Sequence, residues 1–436
     1  MRLRIERGKT LLVDGPACIA LCSGVVRVFG ANIGVKEHVI VRFGKRIPLE
    51  FLEDSEVEIL LGDKASYEII DCSSIPSSWE RTCEKILSTS DKVEVVILGG
   101  TDSGKSSFFT YLANVALSRR RKIALIDGDL GQSDIGPPGT LGLSIIKRPI
   151  IDPSSLQPDQ IIFVGVTSPQ RVVDRVIEGL VRLKDRALEM DSNFIVINTD
   201  GWVEGRDAVD YKRQLIRALE PNFVMIMQGK GDLTTLVNSL MKENFNLLLI
   251  ETPEKIKRRD RETRKAIREG LYKKYLKNAK LRSIPLSWIK LNGNLTIRGK
   301  PDQYLKKKFN EILSGKVVYC ESAQDCIVLM LKNGFIIGDE EKNILSTNFH
   351  IPIKVIFEGS ERGLIASLEN EKGKFLGIGI IHSIDYDRGI IKVYTNSEED
   401  FSRVHVGRIR LNEKGNEVEV IGENGVYILP QRDKAP

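Results

Sequence analysis

The residues best suited to chemistry lie in the stretch GGTDSGKSS, residues 99–107. Gly99, Gly104, Lys105 and Ser106 fit the spacing G-x-x-x-x-G-K-[ST], in which glycines let backbone N–H groups turn inward around phosphate oxygens. The apolar run VEVVIL precedes the stretch and FFTYLANVALS, of roughly helical period, follows it, so a strand and a helix flank the loop. This context predicts a nucleotide site whose cofactor-binding residues are Gly99, Gly100, Thr101, Asp102, Ser103, Gly104, Lys105, Ser106 and Ser107.

Two side chains of this loop have distinct expected roles. Lys105 neutralises the β- and γ-phosphates, and Ser106 places a hydroxyl on Mg²⁺ or another divalent cation. A guanine-reading N-K-x-D sequence does not follow, and the nearest approach, NTD at residues 198–200, lacks the lysine. The expected cofactors are therefore ATP and Mg²⁺.

A second cluster of polar residues lies in KIALIDGDLGQSDIGPPGT. Asp127 and Asp129 end an apolar run that we expect to form the strand beside the phosphate-loop strand. Residues two apart on an extended strand face the same way, so one carboxylate can serve the metal while the other orients a nucleophile. The pattern alone does not decide which aspartate has which role. Asp129 is the candidate metal ligand beside Ser106, Asp127 and Gln132 are candidate substrate-binding residues, and Gln132 and Asp134 extend the polar rim.

The elements that position these residues follow one pattern between about 91 and 285. Nearly continuous apolar strands alternate with longer amphipathic stretches, which predicts a mostly parallel sheet covered on both faces. Ligands bind at the carboxyl ends of such strands. The motifs GGTDSGKSS, DGDLGQSD, TSPQR and NTDGW each follow an apolar run directly, so all four are expected at one edge of the sheet.

The flanking regions have a different pattern. Residues 1–75 contain short strands separated by turns, which predicts an N-terminal β-sandwich-like domain. Residues 76–285 form the expected P-loop domain, and short strands return over 286–436, which predicts a C-terminal β-rich α/β domain. The fold class is α/β.

Composition restricts the function classes. The 436 residues are 42% hydrophobic and 28% charged, and no run approaches the roughly 18 apolar residues of a membrane span. With its charged N-terminus, the chain is expected in the cytoplasm without a membrane partner. The net charge of +6 is concentrated between Lys255 and Arg282, where 13 basic residues face 3 acidic ones, which indicates a local contact with a polyanion.

The four motifs together resemble the polynucleotide 5′-hydroxyl kinase family. Its members include the kinase subunit of the eukaryotic pre-mRNA cleavage factor, the pre-ribosomal RNA processing kinase and archaeal RNA kinases. The resemblance extends to LRIERGKTLLV near the N-terminus and to GLIASLENEKGKFLGIGIIHSIDYDRGIIKVYT near the C-terminus. It implies transfer of the ATP γ-phosphate to the 5′-hydroxyl of RNA, and in some members of DNA, with no protein partner specified.

The resemblance also implies residue roles. Lys105 and Ser106 bind triphosphate and Mg²⁺, and Asp129 matches the acid that activates the 5′-hydroxyl. Thr167, in TSPQR, falls in the element that clasps the first phosphate of the substrate. Trp202 matches the tryptophan that stacks on the terminal base, which suits sequence-tolerant binding of single strands.

The basic segment resembles the family's arginine-bearing lid. Alignment by its closing tyrosine gives Arg259 and Arg264 as catalytic residues, together with Lys105 and Asp129. Helical spacing alone favours Arg261, Arg264 and Arg268 on one face. Both interpretations hold if Arg259 lies in a loop before the helix.

Two other functions fit parts of the sequence. The first is a non-catalytic ATP-binding scaffold within an RNA-processing assembly. The second is an ATPase switch of the partitioning type, which the absence of an early lysine in the loop disfavours.

Overall fold

The computed structural model describes residues 1–89, 92–229, 233–243, 245–293, 301–322, 326–386, 388–422 and 426–428. The chain folds into two compact units, residues 1–268 and 269–436. None of the helices in these described ranges combines the length and the apolar character needed to cross a membrane.

Unit 1 begins with two small antiparallel sheets. Their strands are β1 (Arg2–Ile5), β2 (Thr10–Asp14), β3 (Ala17–Ser23), β4 (Val26–Val28), β5 (Ala31–Ile33), β6 (His38–Val41), β7 (Arg46–Phe51), β8 (Ser55–Leu61) and β9 (Ser66–Ile70). One sheet has the order β1-β8-β3-β6 and the other β5-β4-β7-β2-β9. Strand β3 alternates buried and partly exposed residues, as expected of a strand with one face on a core.

The central sheet follows in the chain. Its strands are β10 (Val93–Leu98), β11 (Ile123–Gly128), β12 (Thr140–Ile146), β13 (Gln160–Phe163), β14 (Phe194–Thr199), β15 (Phe223–Gln228) and β16 (Leu247–Glu251). The helices among them are α1 (Ser77–Leu87), α2 (Lys105–Ser118), α3 (Val173–Glu189), α4 (Arg206–Leu219) and α5 (Thr234–Met241). The order is β13-β12-β11-β14-β10-β15-β16.

This strand order corrects two predictions. Strand β14 lies between β10 and β11 and pairs with both in parallel, so the strand bearing Asp127 is not the neighbour of the phosphate-loop strand. Strand β12, which the sequence pattern did not predict, pairs antiparallel with β11 and β13. Strands β10, β11 and β14 are all mostly apolar, and such runs carry no information about which strands pair.

Helix α2 explains why FFTYLANVALS is apolar on almost every face. It packs between the central sheet and the N-terminal strands, so most of its residues are buried. The amide of Asn114 joins the two layers, since its Nδ2 donates to the carbonyls of Phe29 at 2.8 Å and Ile150 at 2.7 Å. The helix that begins at the phosphate loop is therefore fixed from both sides.

Helix α6 (Arg261–Tyr275) begins in unit 1. Unit 2 contains strands β17 (Lys280–Pro285), β18 (Lys290–Gly293), β19 (Val317–Ser322), β20 (Ile327–Leu331), β21 (Ile353–Phe357), β22 (Leu364–Glu369), β23 (Phe375–Asp385), β24 (Ile390–Thr395), β25 (Arg403–Leu411), β26 (Glu417–Val420) and β27 (Val426–Ile428), with helices α7 (Gln303–Ile312) and α8 (Asp339–Asn348). One sheet has the order β17-β24-β23-β22-β25-β18, with β26 on β25, and the other β19-β20-β21-β27.

Candidate functional site

A cavity of about 440 Å³ lies in unit 1 at the carboxyl ends of β10, β11 and β14. The sequence-predicted residues that line it are Thr101, Asp102, Ser103, Gly104, Lys105, Ser106, Ser107, Asp129, Gln132, Thr167, Trp202, Arg259 and Arg264. Gly99 and Gly100 lie beneath it, and their carbonyls bind Lys105. The four strand-end motifs therefore converge on one space, as parallel strand topology requires.

The phosphate loop contains backbone conformations that residues other than glycine rarely adopt. Gly99 has φ 152° and Gly104 has φ 97°, the left-handed region that favours glycine. A Cβ on Gly99 would lie 2.9 Å from the Cβ of Met227, so the loop also needs glycine for space. Helix α2 begins at Lys105, and its N-terminal N–H groups and partial positive charge are at the cavity.

Lys105 is almost completely buried, with 6% of its surface exposed. Its Nζ donates to the carbonyls of Gly99 and Gly100, both at 2.8 Å. Burial lowers the pKa of the ammonium to about 8, although the charge of Asp129 opposes that shift. A phosphate entering the cavity would offset the effect of this burial by supplying negative charge.

Asp127 and Asp129 have separate environments, contrary to the expectation that they face the same way into the site. Asp127 is 1% exposed and does not line the cavity. Its carboxylate accepts hydrogen bonds from Asn198 Nδ2 at 2.9 Å and from the backbone N–H groups of Asp134 and Ile135. Burial and the neighbouring carboxylates raise the pKa of Asp127. Asp127 therefore holds the loop after β11, and its side chain does not line the cavity.

Asp129 is half-buried and lines the cavity. Its Oδ1 accepts from the backbone N–H groups of Gly131 and Gln132, each at 3.0 Å. Among the described residues, none donates a hydrogen bond to Oδ2. Burial raises the pKa of Asp129, against the opposing charge of Lys105. The carboxylate is thus fixed through one oxygen and available through the other.

Gln132 and Thr167 close one side of the cavity. The Nε2 of Gln132 donates to the carbonyl of Arg264 at 3.3 Å, which ties the acidic loop to helix α6. A Cβ on Gly131 would lie 2.9 Å from the carbonyl of Thr167, so the two loops approach closely. The absence of a side chain at Gly131 lets TSPQR reach the acidic loop.

Trp202 lies after the end of β14 above a buried cluster. Its ring stacks on Tyr211 with centroids 5.8 Å apart and an interplanar angle of 25°. The carboxylate of Asp200 accepts from the backbone N–H of Trp202 at 2.9 Å, the Tyr211 hydroxyl at 2.9 Å and Lys212 Nζ at 2.8 Å. This cluster holds the indole at the cavity. The cavity-lining Asp200 was not predicted, although it lies within NTDGW.

Arg259 and Arg264 both line the cavity, as the alignment by the closing tyrosine indicated, whereas Arg261, which helical spacing favoured, does not line it. Arg259 lies in the loop before α6, and Arg264 lies in the first turns of the helix. Both guanidinium groups contact Asp102 of the phosphate loop, at 2.9 Å from Arg259 and 2.7 Å from Arg264. Arg268 also lines the cavity.

The N-terminal strands and the turns between them supply lining residues that the sequence patterns did not predict: Leu12, Phe29, Gly44, Lys45, Arg46 and Pro48. Trp79 of α1 and Ile75 add to this apolar end of the cavity. Ion pairs of Arg42 with Asp152 at 2.6 Å and of Lys45 with Asp134 at 2.8 Å attach the loop between β6 and β7 to the loops that follow β12 and β11. The contacts join residues about 100 positions apart, so no local sequence signal could reveal them.

The residues present are those of an α/β P-loop nucleotide-binding protein. The family described as the P-loop of the mRNA cleavage and polyadenylation factor CLP1 matches residues 99–278. The polyribonucleotide 5′-hydroxyl-kinase of Pyrococcus furiosus is 27% identical over 357 residues, which cover 80% of this chain and 96% of that protein. The polyribonucleotide 5′-hydroxyl-kinase of Methanocaldococcus jannaschii is 27% identical over 365 residues, which cover 81% and 97%.

The fold agrees with these matches. The solved structure of wild-type Clp1p in complex with Pcf11p has a TM-score of 0.64 at 14% identity and covers 94% of this chain and 97% of that chain. The matched residues 99–278 contain all four strand-end motifs, so the family model and the archaeal relatives support the resemblance to polynucleotide 5′-hydroxyl kinases.

Proposed function

We propose that this protein is an ATP-dependent polynucleotide kinase that transfers the γ-phosphate of ATP to the 5′-hydroxyl end of RNA, with DNA as a further acceptor to be tested. One observation carries the proposal. The phosphate loop, the available oxygen of Asp129 and the ring of Trp202 all border the same cavity. A nucleotide donor and the end of a polynucleotide can therefore occupy adjacent positions.

The transfer needs positioning and charge stabilisation rather than covalent catalysis. Asp129 accepts the proton of the 5′-hydroxyl, whose oxygen forms a bond to the γ-phosphorus. The bond from that phosphorus to the β–γ bridging oxygen breaks, and ADP leaves. Lys105, Arg259 and Arg264 stabilise the charge on the transferring group.

The acceptor strand is held by the opposite side of the cavity. The face of Trp202 offers a stacking platform for the terminal base, which is independent of base identity. Thr167 and Gln132 line the wall where the first phosphate of the substrate would lie. Asp127 supports the loop between Asp129 and Asp134 and takes no direct part in binding.

The site fits Mg²⁺ on the chemistry of its donors. Ser106 supplies a hydroxyl oxygen and Asp129 a carboxylate oxygen to the same cavity, and hard divalent cations prefer oxygen ligands. Bound Mg²⁺ would neutralise phosphate charge during transfer.

We also propose that the chain works as three segments with the boundaries 1–75, 76–285 and 286–436. The apolar end of the cavity supports the first, since Leu12, Phe29 and Pro48 from the N-terminal strands provide a surface for the base of the donor nucleotide.

The decisive experiment follows label from ATP carrying ³²P at its γ-phosphate to a short oligoribonucleotide with a free 5′-hydroxyl, with and without Mg²⁺. Transfer that requires the 5′-hydroxyl and is lost in Lys105→Ala and Asp129→Asn supports the proposal, with Asp129→Asn retaining ATP binding. A 5′-phosphorylated oligonucleotide is the control acceptor. ATP binding without any transfer would overturn it and favour a non-catalytic scaffold.

A further inference from the structure

The carboxylate of Asp102 has an unexpected position for a group in a phosphate loop. A negative charge there repels the triphosphate that the loop is built to bind, so its presence needs a reason. Its side chain is only 8% exposed, and the backbone has φ 54°, a left-handed conformation uncommon outside glycine. The carboxylate is therefore held in place and directed at specific partners.

Those partners are the two arginines of the basic segment. Oδ1 of Asp102 accepts from Arg259 Nε at 3.0 Å, and Oδ2 accepts from the Arg259 backbone N–H at 3.0 Å. Oδ2 also accepts from a terminal nitrogen of Arg264 at 2.7 Å. Burial acts to raise the pKa of Asp102, but the hydrogen bond and charge of Arg259 and the charge of Arg264 outweigh it and lower that pKa.

The bonds to Arg259 matter because of where it lies. Residues 254–260, which include Arg259, precede α6 without regular secondary structure, so no helical hydrogen bonds fix their backbone. Asp102 binds both the main chain and the side chain of Arg259, and it binds Arg264 one helical turn into α6. One carboxylate thereby sets two guanidinium groups beside the loop before any nucleotide arrives.

We propose that Asp102 is a positioning residue that pre-orders Arg259 and Arg264 for phosphoryl transfer. The catalytic readout of this inference rests on the proposed kinase function, whereas its structural readout needs only the ligand-free protein. The two arginines keep a combined positive charge larger than the single negative charge of Asp102, so the loop remains attractive to a triphosphate.

The test uses Asp102→Asn in the full chain. Asparagine tolerates the left-handed backbone, so the loop conformation is retained while the charge is removed. We expect kcat for 5′-phosphorylation to fall by about 10²-fold, the scale of a misplaced catalytic group, with the KM for ATP unchanged or lower. A merely structural defect would instead weaken ATP binding and lower the melting temperature.

A second readout needs no catalysis. Limited trypsin digestion of the ATP-free protein, followed by mass spectrometry, reports cleavage at the many basic residues between 255 and 268. Asp102→Asn should accelerate cleavage there by several-fold. The matched control is Glu243→Gln, because Glu243 also binds two arginines, Arg213 at 2.7 Å and Arg217 at 2.6 Å, away from the cavity. It should leave both readouts unchanged.

A double-mutant cycle completes the test. In a protein that already carries Arg259→Ala and Arg264→Ala, Asp102→Asn should reduce kcat no further. Additive losses, unchanged cleavage at 255–268, or a rise in kcat on removal of the carboxylate would each overturn the inference. If the parent protein transfers no phosphate at all, the proposed function fails, while the digestion still decides whether Asp102 orders the segment.

Discussion

The cavity has a phosphate end, at the phosphate loop, and an acceptor end, at Trp202. Each end contains a buried carboxylate paired with basic side chains, and the two ends differ in how exposed those basic side chains are. At the phosphate end, Asp102 binds Arg259 and Arg264, whose side chains are 19% and 28% exposed. At the acceptor end, Asp200 binds Lys212, whose side chain is 0% exposed. The arginines retain a surface for a ligand, whereas Lys212 has none.

This difference separates charges that a ligand can reach, which the proposed function makes catalytic, from a charge that supports the fold. A fully buried ion pair contributes little net stability, yet removal of one partner leaves a costly uncompensated charge. Lys212 therefore supports the turn that carries Trp202. The partly exposed arginines can exchange part of their contact with Asp102 for a phosphate. Substitutions at the phosphate end should affect turnover, and those at the acceptor end should affect folding or RNA binding.

The largest expected effect is at the phosphate end. Arg264→Ala should lower kcat by about 10³-fold or more, the range for an arginine that stabilises the transferring phosphoryl group. The melting temperature should change little. Steady-state kinetics with a 5′-hydroxyl oligoribonucleotide measure the first quantity, and calorimetry measures the second.

The matched control for this prediction is Arg261→Ala. Arg261 is exposed on the first turn of the same helix and was favoured by helical spacing alone. It should retain nearly full activity. Equal losses in both variants would mean that the whole charge of the segment matters, and the distinction between the two ends would weaken.

The next effect concerns stability at the acceptor end. Lys212→Met keeps the length of the side chain but leaves Asp200 without its buried cation. We expect the free energy of unfolding to fall by about 3–5 kcal/mol. Urea denaturation measures it, with Arg217→Met at an exposed ion pair as the control. A loss below about 1 kcal/mol, typical of surface pairs, would contradict the structural role of Lys212.

A smaller effect is expected for the ring that this cluster supports. Trp202→Ala should weaken oligonucleotide binding by about 1–3 kcal/mol, the value of one stacked base, and leave ATP affinity unchanged. Fluorescence anisotropy with a labelled 5′-hydroxyl oligomer measures it. Trp288→Ala, which removes a tryptophan that is 73% exposed in unit 2, is the control. Equal loss of ATP and oligonucleotide affinity would assign Trp202 to the core instead.

The smallest effect is a pH dependence. The ammonium of Lys105 has a pKa of about 8 in the ligand-free protein, so it loses its proton as pH rises through that value. Binding of ATP needs the charged form. The dissociation constant for ATP should therefore be constant below pH 8 and rise by about tenfold per pH unit above it.

Titration calorimetry between about pH 6.5 and 9.5 tests this dependence. Arginine stays protonated over that range, so Lys105→Arg should remove the alkaline rise even if its affinity is lower. A constant affinity across the whole range in the parent protein would show that burial does not set the charge of Lys105.

Sequence predicted the parts of this site that local patterns encode. The phosphate loop, the position of Asp129 after a strand and the placement of Arg259 before a helix all depend on nearby residues, and the structure has them there. Convergence of the four motifs followed from parallel topology, because the carboxyl ends of parallel strands share an edge.

The remaining features depend on contacts distant in sequence. Asp102 binds residues about 160 positions away, and nothing within GGTDSGKSS distinguishes it from a neutral loop residue. The prediction that Asp127 and Asp129 face the same way was wrong for a related reason. The chain turns sharply after Gly128, so the two-residue alternation of an extended strand no longer applies at Asp129.

Strand β14, which lies between β10 and β11, sets the distance between the phosphate loop and the acidic loop. Neighbouring strands are about 4.8 Å apart, so two intervals separate the origin of the phosphate loop from the origin of the acidic loop by about 10 Å. A single interval would bring the carboxylate of Asp129 closer to the loop that is proposed to bind phosphate. The wider spacing leaves room for a ligand between the two loops, and the order of the strands, rather than any side chain, sets it.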